Sequence, residues 1–269
     1  MKPNSIKDLS IQISLSGLSF CILNRSTNTV ELLHHIEFDV KVTPFEVLNQ
    51  LRTIIETNTD YQQQFDSVLS IYKNELSTLV PESLFDEAFL ADYLKFNAKI
   101  LKTDYISYDT IVANQCKNVY VPLVNINNYL FENYGSFVYK HASTILIETV
   151  LQYAVKHEAT QVYINVNASD YEMLVANSSK LIFYNTFDYN TKEDFIYYIL
   201  FTLEQLKLNP ETVKIHFSGS ISEESDLFKI VYKYVRFVDI LVVNYDYLFA
   251  PNQNPKALHN NFILLNSFS

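Results

Sequence analysis

A chain of 269 residues with 48% hydrophobic content can fill one large core or two modest ones. Its formal net charge of −10 repels polyanions and disfavours nucleic acid and anionic membrane surfaces as partners. Three glycines stand where ordinary usage of roughly 7% would give about nineteen, so loops that bring backbone close to phosphate are poorly supplied.

The opening MKPNSIKDLS lacks the apolar run of a secretory signal, and no apolar run approaches eighteen residues. Both features predict a cytoplasmic chain without membrane insertion. Leu9, Ile11, Ile13 and Leu15 alternate with polar residues, the period of a strand. Ser16-Gly17 turns it, Leu18 to Leu23 returns, and Thr29 to Val40 makes a third strand. Thr43-Pro44-Phe45-Glu46 combines a cap, an N1 proline and a capping-box glutamate, predicting a helix to about Asn58. Val68, Leu69 and Ile71 mark a strand. Pro81-Glu82-Ser83-Leu84-Phe85 opens a predicted helix to Phe96. From 98 to 137 the pattern predicts an inserted subdomain with short strands at Thr103 to Tyr108, Ile111 to Ala113 and Asn118 to Val124. A helix over Asn125 to Asn133 and a strand at Phe137 to Tyr139 complete it. Ala142 to Lys156 is a long apolar helix joining two halves.

The second half repeats the first. Val162, Ile164 and Val166 alternate as a strand, and short turns at Asn167-Ala168-Ser169-Asp170 and Asn177-Ser178-Ser179-Lys180 predict an antiparallel meander with Tyr171 to Val175 and Leu181 to Phe187. Thr191 caps a helix that Asn209-Pro210 stops. A strand at Val213 to Phe217, a helix from Ser222 and a strand at Val238 to Val243 follow. Leu9 to Leu15 matches Val162 to Ala168, and Thr43-Pro44 matches Thr191-Lys192. The strand at Leu69 matches that at Ile215, and Glu82 to Phe85 echoes Ser225 to Phe228. This is an internal duplication, with a first lobe over 1–141 and a second over 142–269. After a loop containing Pro251, Asn252, Asn254 and Pro255, the segment 256–269 is expected to pack back on the first lobe, with a helix over His259 to Leu265.

Two β-β-β-α-β-α lobes joined by a long helix resemble the actin-like ATPase fold, a ribonuclease-H-like α/β architecture. The segment Ser77-Thr78-Leu79-Val80-Pro81-Glu82-Ser83-Leu84-Phe85, with Tyr93-Leu94-Lys95-Phe96-Asn97, resembles an uncharacterised Bacteroidetes family, domain of unknown function 3822, that is assigned this fold. The resemblance implies a nucleotide cleft. Each lobe would offer an Asp and a glycine on a strand-turn-strand loop, and a later glycine turn would support adenosine. In the first lobe that pattern falls on Ile11-Gln12-Ile13-Ser14, followed by Ser16-Gly17. In the second it falls on Ile164-Asn165-Val166-Asn167, with Ser169 and Asp170 in the turn. The adenosine turn falls on Phe217-Ser218-Gly219-Ser220. Both acids have become amides, which are neutral and poor magnesium ligands beside carboxylate. Phosphoryl transfer rests on positioning and charge stabilisation, so these changes argue against hydrolysis.

Other chemistry is sparse. Ribonuclease-H-type nucleases need several converging carboxylates, and Leu9 to Leu15 contains none. His34-His35 should point to opposite faces of a strand, one inward and one outward. His141, His157, His216 and His259 are scattered, with His216 reading as a sheet histidine. Cys21 reads as a strand residue and Cys116 as a loop residue, without disulfide or zinc spacing. Tyrosine-rich runs at Phe195 to Phe201 and Tyr232 to Tyr247 lack interleaved basic residues, so they read as packing or protein-contact surface. Glu223-Glu224 and Asp226 read as a helix N-terminus. The expected function is a non-catalytic protein-interaction or scaffold module without cofactor. The alternative is a nucleotide-binding switch holding ATP and magnesium without efficient hydrolysis.

Overall fold

Alternating apolar side chains build the first sheet of the computed structural model, which describes residues 5–96, 98–178, 180–253, 255 and 257–268. Asn97, Ser179 and Asn254, placed by the sequence at a helix end, a turn and a loop, lie outside the described residues, as do Lys256 and Ser269 of the final segment. Strands β1 (Lys7–Ser14), β2 (Gly17–Asn24) and β3 (Thr29–Glu37) form an antiparallel meander. Helix α1 (Pro44–Thr57) starts on the capping box of Thr43 and Glu46. Strand β4 (Ser67–Tyr72) then lies parallel to β1, the right register for a crossover through α1.

The stretch after β4 differs from expectation. Ser77–Pro81 is a strand, β5, and the expected helix from Pro81 reduces to turns at Glu82–Leu84 and Glu87–Phe89 followed by α2 (Leu90–Leu94). Pro81 ends an edge strand, where a missing N–H costs nothing, and the Glu82 N–H is held by the Gln115 carbonyl rather than by a helix. The strands expected at Thr103 to Tyr108 and Ile111 to Ala113 are one strand, β6 (Ser107–Ile111). Strand β7 (Cys116–Tyr120) places Cys116 in a strand rather than a loop. The three pair antiparallel in the order β5-β7-β6, so this small sheet begins at Ser77 instead of 98. Helix α3 (Val124–Tyr134) and β8 (Val138–His141) return to the main sheet, where β8 runs parallel to β4.

Helix α4 (Ala142–Ala154) leads into β9 (Gln161–Val166), β10 (Asp170–Asn177) and β11 (Lys180–Asp188), a second antiparallel meander. Helix α5 (Lys192–Gln205) is capped by Thr191 and Asp194. Strand β12 (Lys214–Gly219) is parallel to β9; helix α6 (Asp226–Tyr234) and strand β13 (Phe237–Ile240) complete the unit. Helix α6 starts at Asp226 and not at Ser222, because the Ser225 side chain caps it while the Ser222 carbonyl is taken by Ser225. The chain ends with β14 (Leu248–Phe249) and α7 (Phe262–Leu265).

The chain divides into two compact units. The first comprises Met1–Ile145, Tyr245–Pro255 and Ile263–Ser269, and the second Leu146–Asn244 and Lys256–Phe262. Sheet order is β14-β3-β2-β1-β4-β8 in the first and β11-β10-β9-β12-β13 in the second. Apart from β14 the two orders are the same. The counterpart of α6 is therefore α3, and Glu82 to Phe85, matched to α6 by sequence, belongs to the small sheet. No helix among the described residues is long and apolar enough to cross a membrane.

Each sheet buries one face under its helices. In the first unit Leu9, Ile11, Ile13 and Phe20 meet Val47, Leu51 and Ile55 of α1 and Ile126 and Leu130 of α3. In the second, Ile164, Val166, Met173 and Phe217 meet Phe195, Ile199 and Leu203 of α5 and Val231 of α6. Tyr171 and Phe195 lie 4.6 Å apart between ring centroids, and Phe195 and Phe217 lie 6.1 Å apart. Replacing the fully buried Phe217 by Ala is expected to cost ~3–5 kcal/mol through lost transfer energy and a residual cavity, read as a lower urea midpoint with unchanged slope.

Candidate functional site

The first loop joins β1 and β2. Ser14 ends β1, and its hydroxyl donates to the Gly17 carbonyl at 3.0 Å while accepting the Ser16 N–H at 3.2 Å. Ser16 Oγ lies 3.2 Å from the same oxygen. The Ser16 amide is thus spent inside the hairpin. Gly17 has a local cause as well: a Cβ there would sit 2.5 Å from the Ile36 carbonyl oxygen of β3. Gln12 is half-buried between Ser19 and Ile71 on the face opposite the helices.

The second loop joins β9 and β10, in the other unit. Asn167 donates its backbone N–H to the Asp170 carbonyl at 2.9 Å and its Nδ2 to Asp170 Oδ1 at 2.7 Å. The Tyr189 hydroxyl donates to the Asn167 carbonyl, and the Tyr189 N–H to the Ser169 carbonyl at 3.0 Å. Asp170 is half-buried and its carboxylate serves this turn. Gly219 pairs with Val166 and has φ +83, and a Cβ there would lie 2.1 Å from the Val166 carbonyl oxygen and 3.0 Å from Asn165 Oδ1. Only glycine lets β12 finish this close to β9.

Asn165 sits at the centre of a buried polar row that sequence reasoning did not assemble. It lies directly opposite Glu172 on β10 and Ser218 on β12. Its Nδ2 donates to Glu172 Oε2 at 2.9 Å, and the Ser218 hydroxyl donates to its Oδ1 at 3.1 Å. The Tyr184 hydroxyl of β11 donates to Glu172 Oε1 at 3.4 Å. Glu172 is 3% exposed. Its signal in the sequence is the one carboxylate inside the apolar run 171–176. Further along the same face, His216 Nε2 and the Tyr163 hydroxyl both reach Gln161 Oε1, at 3.1 and 3.0 Å, and the two rings stack.

A second polar cluster, in the first unit, superficially offers a nucleophile and base. His141 Nδ1 accepts from the Ser143 hydroxyl at 2.7 Å. Its Nε2–H donates to the Asn74 carbonyl at 3.2 Å, which fixes the neutral tautomer. Asn118 Nδ2 donates to Ser143 and Thr144, both at 2.9 Å. Asp109 Oδ2 accepts the His141 N–H and the Thr144 hydroxyl, and it touches no imidazole nitrogen. Burial holds the Asp109 carboxyl above its ordinary range against these donors, and burial pushes His141 down to about 4. The cluster secures β6 and β7 of the small sheet to the start of α4.

The remaining candidates resolve locally. His34 lies against the core residues Phe20 and Tyr61 and His35 reaches Ser19 on the other face, the opposite facing that alternation predicts, although both histidines stay exposed. Strand β3 lies beside a two-residue edge strand, so its outer side stays wet. Cys21 and Cys116 are free and buried, and burial pushes both thiols up, away from nucleophilic thiolate.

Comparison with known proteins places the fold. The chain belongs to the family described as Protein of unknown function (DUF3822), matching it over residues 2–238. It is similar to a Bacteroides thetaiotaomicron protein with actin-like ATPase fold and unknown function, with TM-score 0.79, 22% identity, and 88% and 91% of the two chains covered. It is also similar to a chain of the PilM-PilN type IV pilus biogenesis complex, at TM-score 0.61 and 10% identity over 96% and 97%. The ethanolamine utilization protein EutJ from Carboxydothermus hydrogenoformans follows at TM-score 0.50 and 5% identity over 97% and 88%. No match was found among curated proteins. The actin-like ATPase fold expected from the sequence is the fold of this chain.

Two measurements test the polar clusters. Asn165→Asp would set a second carboxylate against Glu172, so the variant should lose ~2–4 kcal/mol at pH 7 and recover on acidification. The same change in a Glu172→Gln background should be tolerated, and equal losses in both backgrounds would remove the coupling. For His141 the folded pKa lies below the unfolded value of about 6.5, so the folded state binds fewer protons between them. Its contribution is complete above pH 6.5 and falls by ~3 kcal/mol as pH drops toward 4. Urea unfolding at pH 7 and pH 4.5 should show a smaller difference for His141→Asn than for the native chain.

Proposed function

We propose that this member of the DUF3822 family works by binding a protein partner and carries out no phosphoryl transfer. One observation carries the reading: Ser14, Ser16, Asn165, Asn167 and Asp170 are engaged within their own units. Ser14 holds the Ser16 amide, Asn167 holds Asp170, and Asn165 is held between Glu172 and Ser218. Neutral amides at Gln12 and Asn165 suit magnesium poorly, and the acid nearest Asn165 is buried and hydrogen-bonded. Both retained glycines answer to close backbone neighbours, so neither needs a nucleotide to explain it. This donor set fits a magnesium nucleotide badly. The PilM chain, of similar fold, stands in a protein complex, which supports assembly as a use of this architecture. Two free cysteines suit a reducing cytoplasm.

Calorimetric titration with ATP and magnesium tests the reading. No binding heat up to ~1 mM is expected. Binding tighter than roughly 100 μM that is abolished by Ser16→Phe or Ser169→Phe would overturn it and establish the nucleotide switch instead.

A further inference from the structure

The two duplicated sheets treat their outer meander strands differently. In the first unit, β14 pairs with the edge of β3 at Thr29 and Val30. The Leu248 and Ala250 N–H groups donate to the Asn28 and Val30 carbonyls at 2.9 Å, and the Leu33 N–H donates to Gln253 Oε1 at 2.8 Å. In the second unit the counterpart is β11, nine residues long, and among the described residues it pairs with β10 alone. A long edge strand with aromatic and β-branched residues is a template for another strand.

An aromatic row continues from that edge onto the outer side of α5. Phe183 and Phe187 lie 6.5 Å apart between centroids, and Phe187 stacks on Tyr198 at 5.2 Å. Tyr198 meets Tyr197 at 5.2 Å, and Tyr197 stacks on Phe201 at 6.1 Å. Tyr197 is 59% exposed and Phe201 46%. Contiguous exposed aromatic surface of this kind marks a protein interface.

The charges on β11 say which protein. The strand reads Lys-Leu-Ile-Phe-Tyr-Asn-Thr-Phe-Asp, with a cation at one end, an anion at the other and none between. Two such strands side by side and antiparallel, with a two-fold axis at Tyr184, bring Lys180 of each copy to Asp188 of the other. A parallel arrangement would set like charges together. The register irregularity next to Ile182 shifts the Lys180 end by one residue, which the flexible lysine stem spans. The same axis would bring the aromatic sides of the two α5 helices together over the extended sheet. We propose that a second copy of this chain docks on β11, giving an isologous dimer with one sheet running through both second units.

Sedimentation of the full chain at ~1–100 μM tests this. The native chain should form dimers in that range. Lys180→Glu sets a new carboxylate against Asp188 twice per dimer, and Asp188→Lys sets a new ammonium against Lys180 twice, so each should weaken association about tenfold. The double variant Lys180→Glu/Asp188→Lys reverses both charges and should return to within about threefold of the native value. In one chain these residues stand at opposite ends of a strand, so rescue cannot come from folding. A monomer throughout the range would overturn the proposal and leave the edge to a strand from a different protein. So would single variants that dimerise like the native chain, or a double variant no tighter than the singles.

Discussion

The carboxamide of Asn165 ties three neighbouring strands of the second unit together. It donates to Glu172 on β10 and accepts from Ser218 on β12. A buried carboxylate is tolerated only while its acceptor sites are met, and the amide at 165 supplies one of the donors that meet those of Glu172. Asp at 165 is an acceptor only and would leave Glu172 facing like charge. The parallel ladder brings β12 against β9 at this point, and Gly219 is the residue that makes the approach sterically possible. Asn165, Glu172 and Ser218 thus form a polar arrangement with its own internal logic. The first loop reaches a similar end by a different route, with Ser14 serving as acceptor for the Ser16 amide.

Much of this was written in local patterns. Period-two alternation at Leu9 to Leu15 and Val162 to Val166 identified the first strand of each meander, and Thr43-Pro44-Phe45-Glu46 and Thr191 marked both first helices correctly. These signals are short-range: a strand face and a helix cap each depend on a handful of neighbouring residues. The duplication was legible for the same reason, since it repeats those signals in the same order.

The small sheet was harder because its pairing is long-range. Pro81 beside Glu82, Ser83 and Leu84 has the local chemistry of a helix start. What overrides it is the start of β7, more than thirty residues on, where Gln115 just before the strand and Cys116 within it supply the partners. The same error misassigned the repeat, since a helix read at Glu82 competed with α3 for the place of α6. The candidate site was legible only as positions. That Asn165 meets Glu172 follows from antiparallel register, which alternation alone cannot specify. His141 and Asp109 meet at the start of α4 because β6 and β8 belong to different sheets, a tertiary fact without local trace.

Strand β14 carries a consequence for how the chain is made. The first unit needs Tyr245–Pro255 and Ile263–Ser269 from the far end of the sequence. Leu33 and Gln253 are 220 residues apart, and Ser10 and Ser267, hydrogen-bonded through their hydroxyls, are 257 apart. At roughly 5–20 residues per second, synthesis between the first pair takes on the order of 10–40 s. Throughout that interval the nascent β3 edge has no β14 to cover it, while the second unit's meander is still being threaded out. The first sheet therefore gains its outermost strand only after residues 245–255 have been made, long after the rest of its meander.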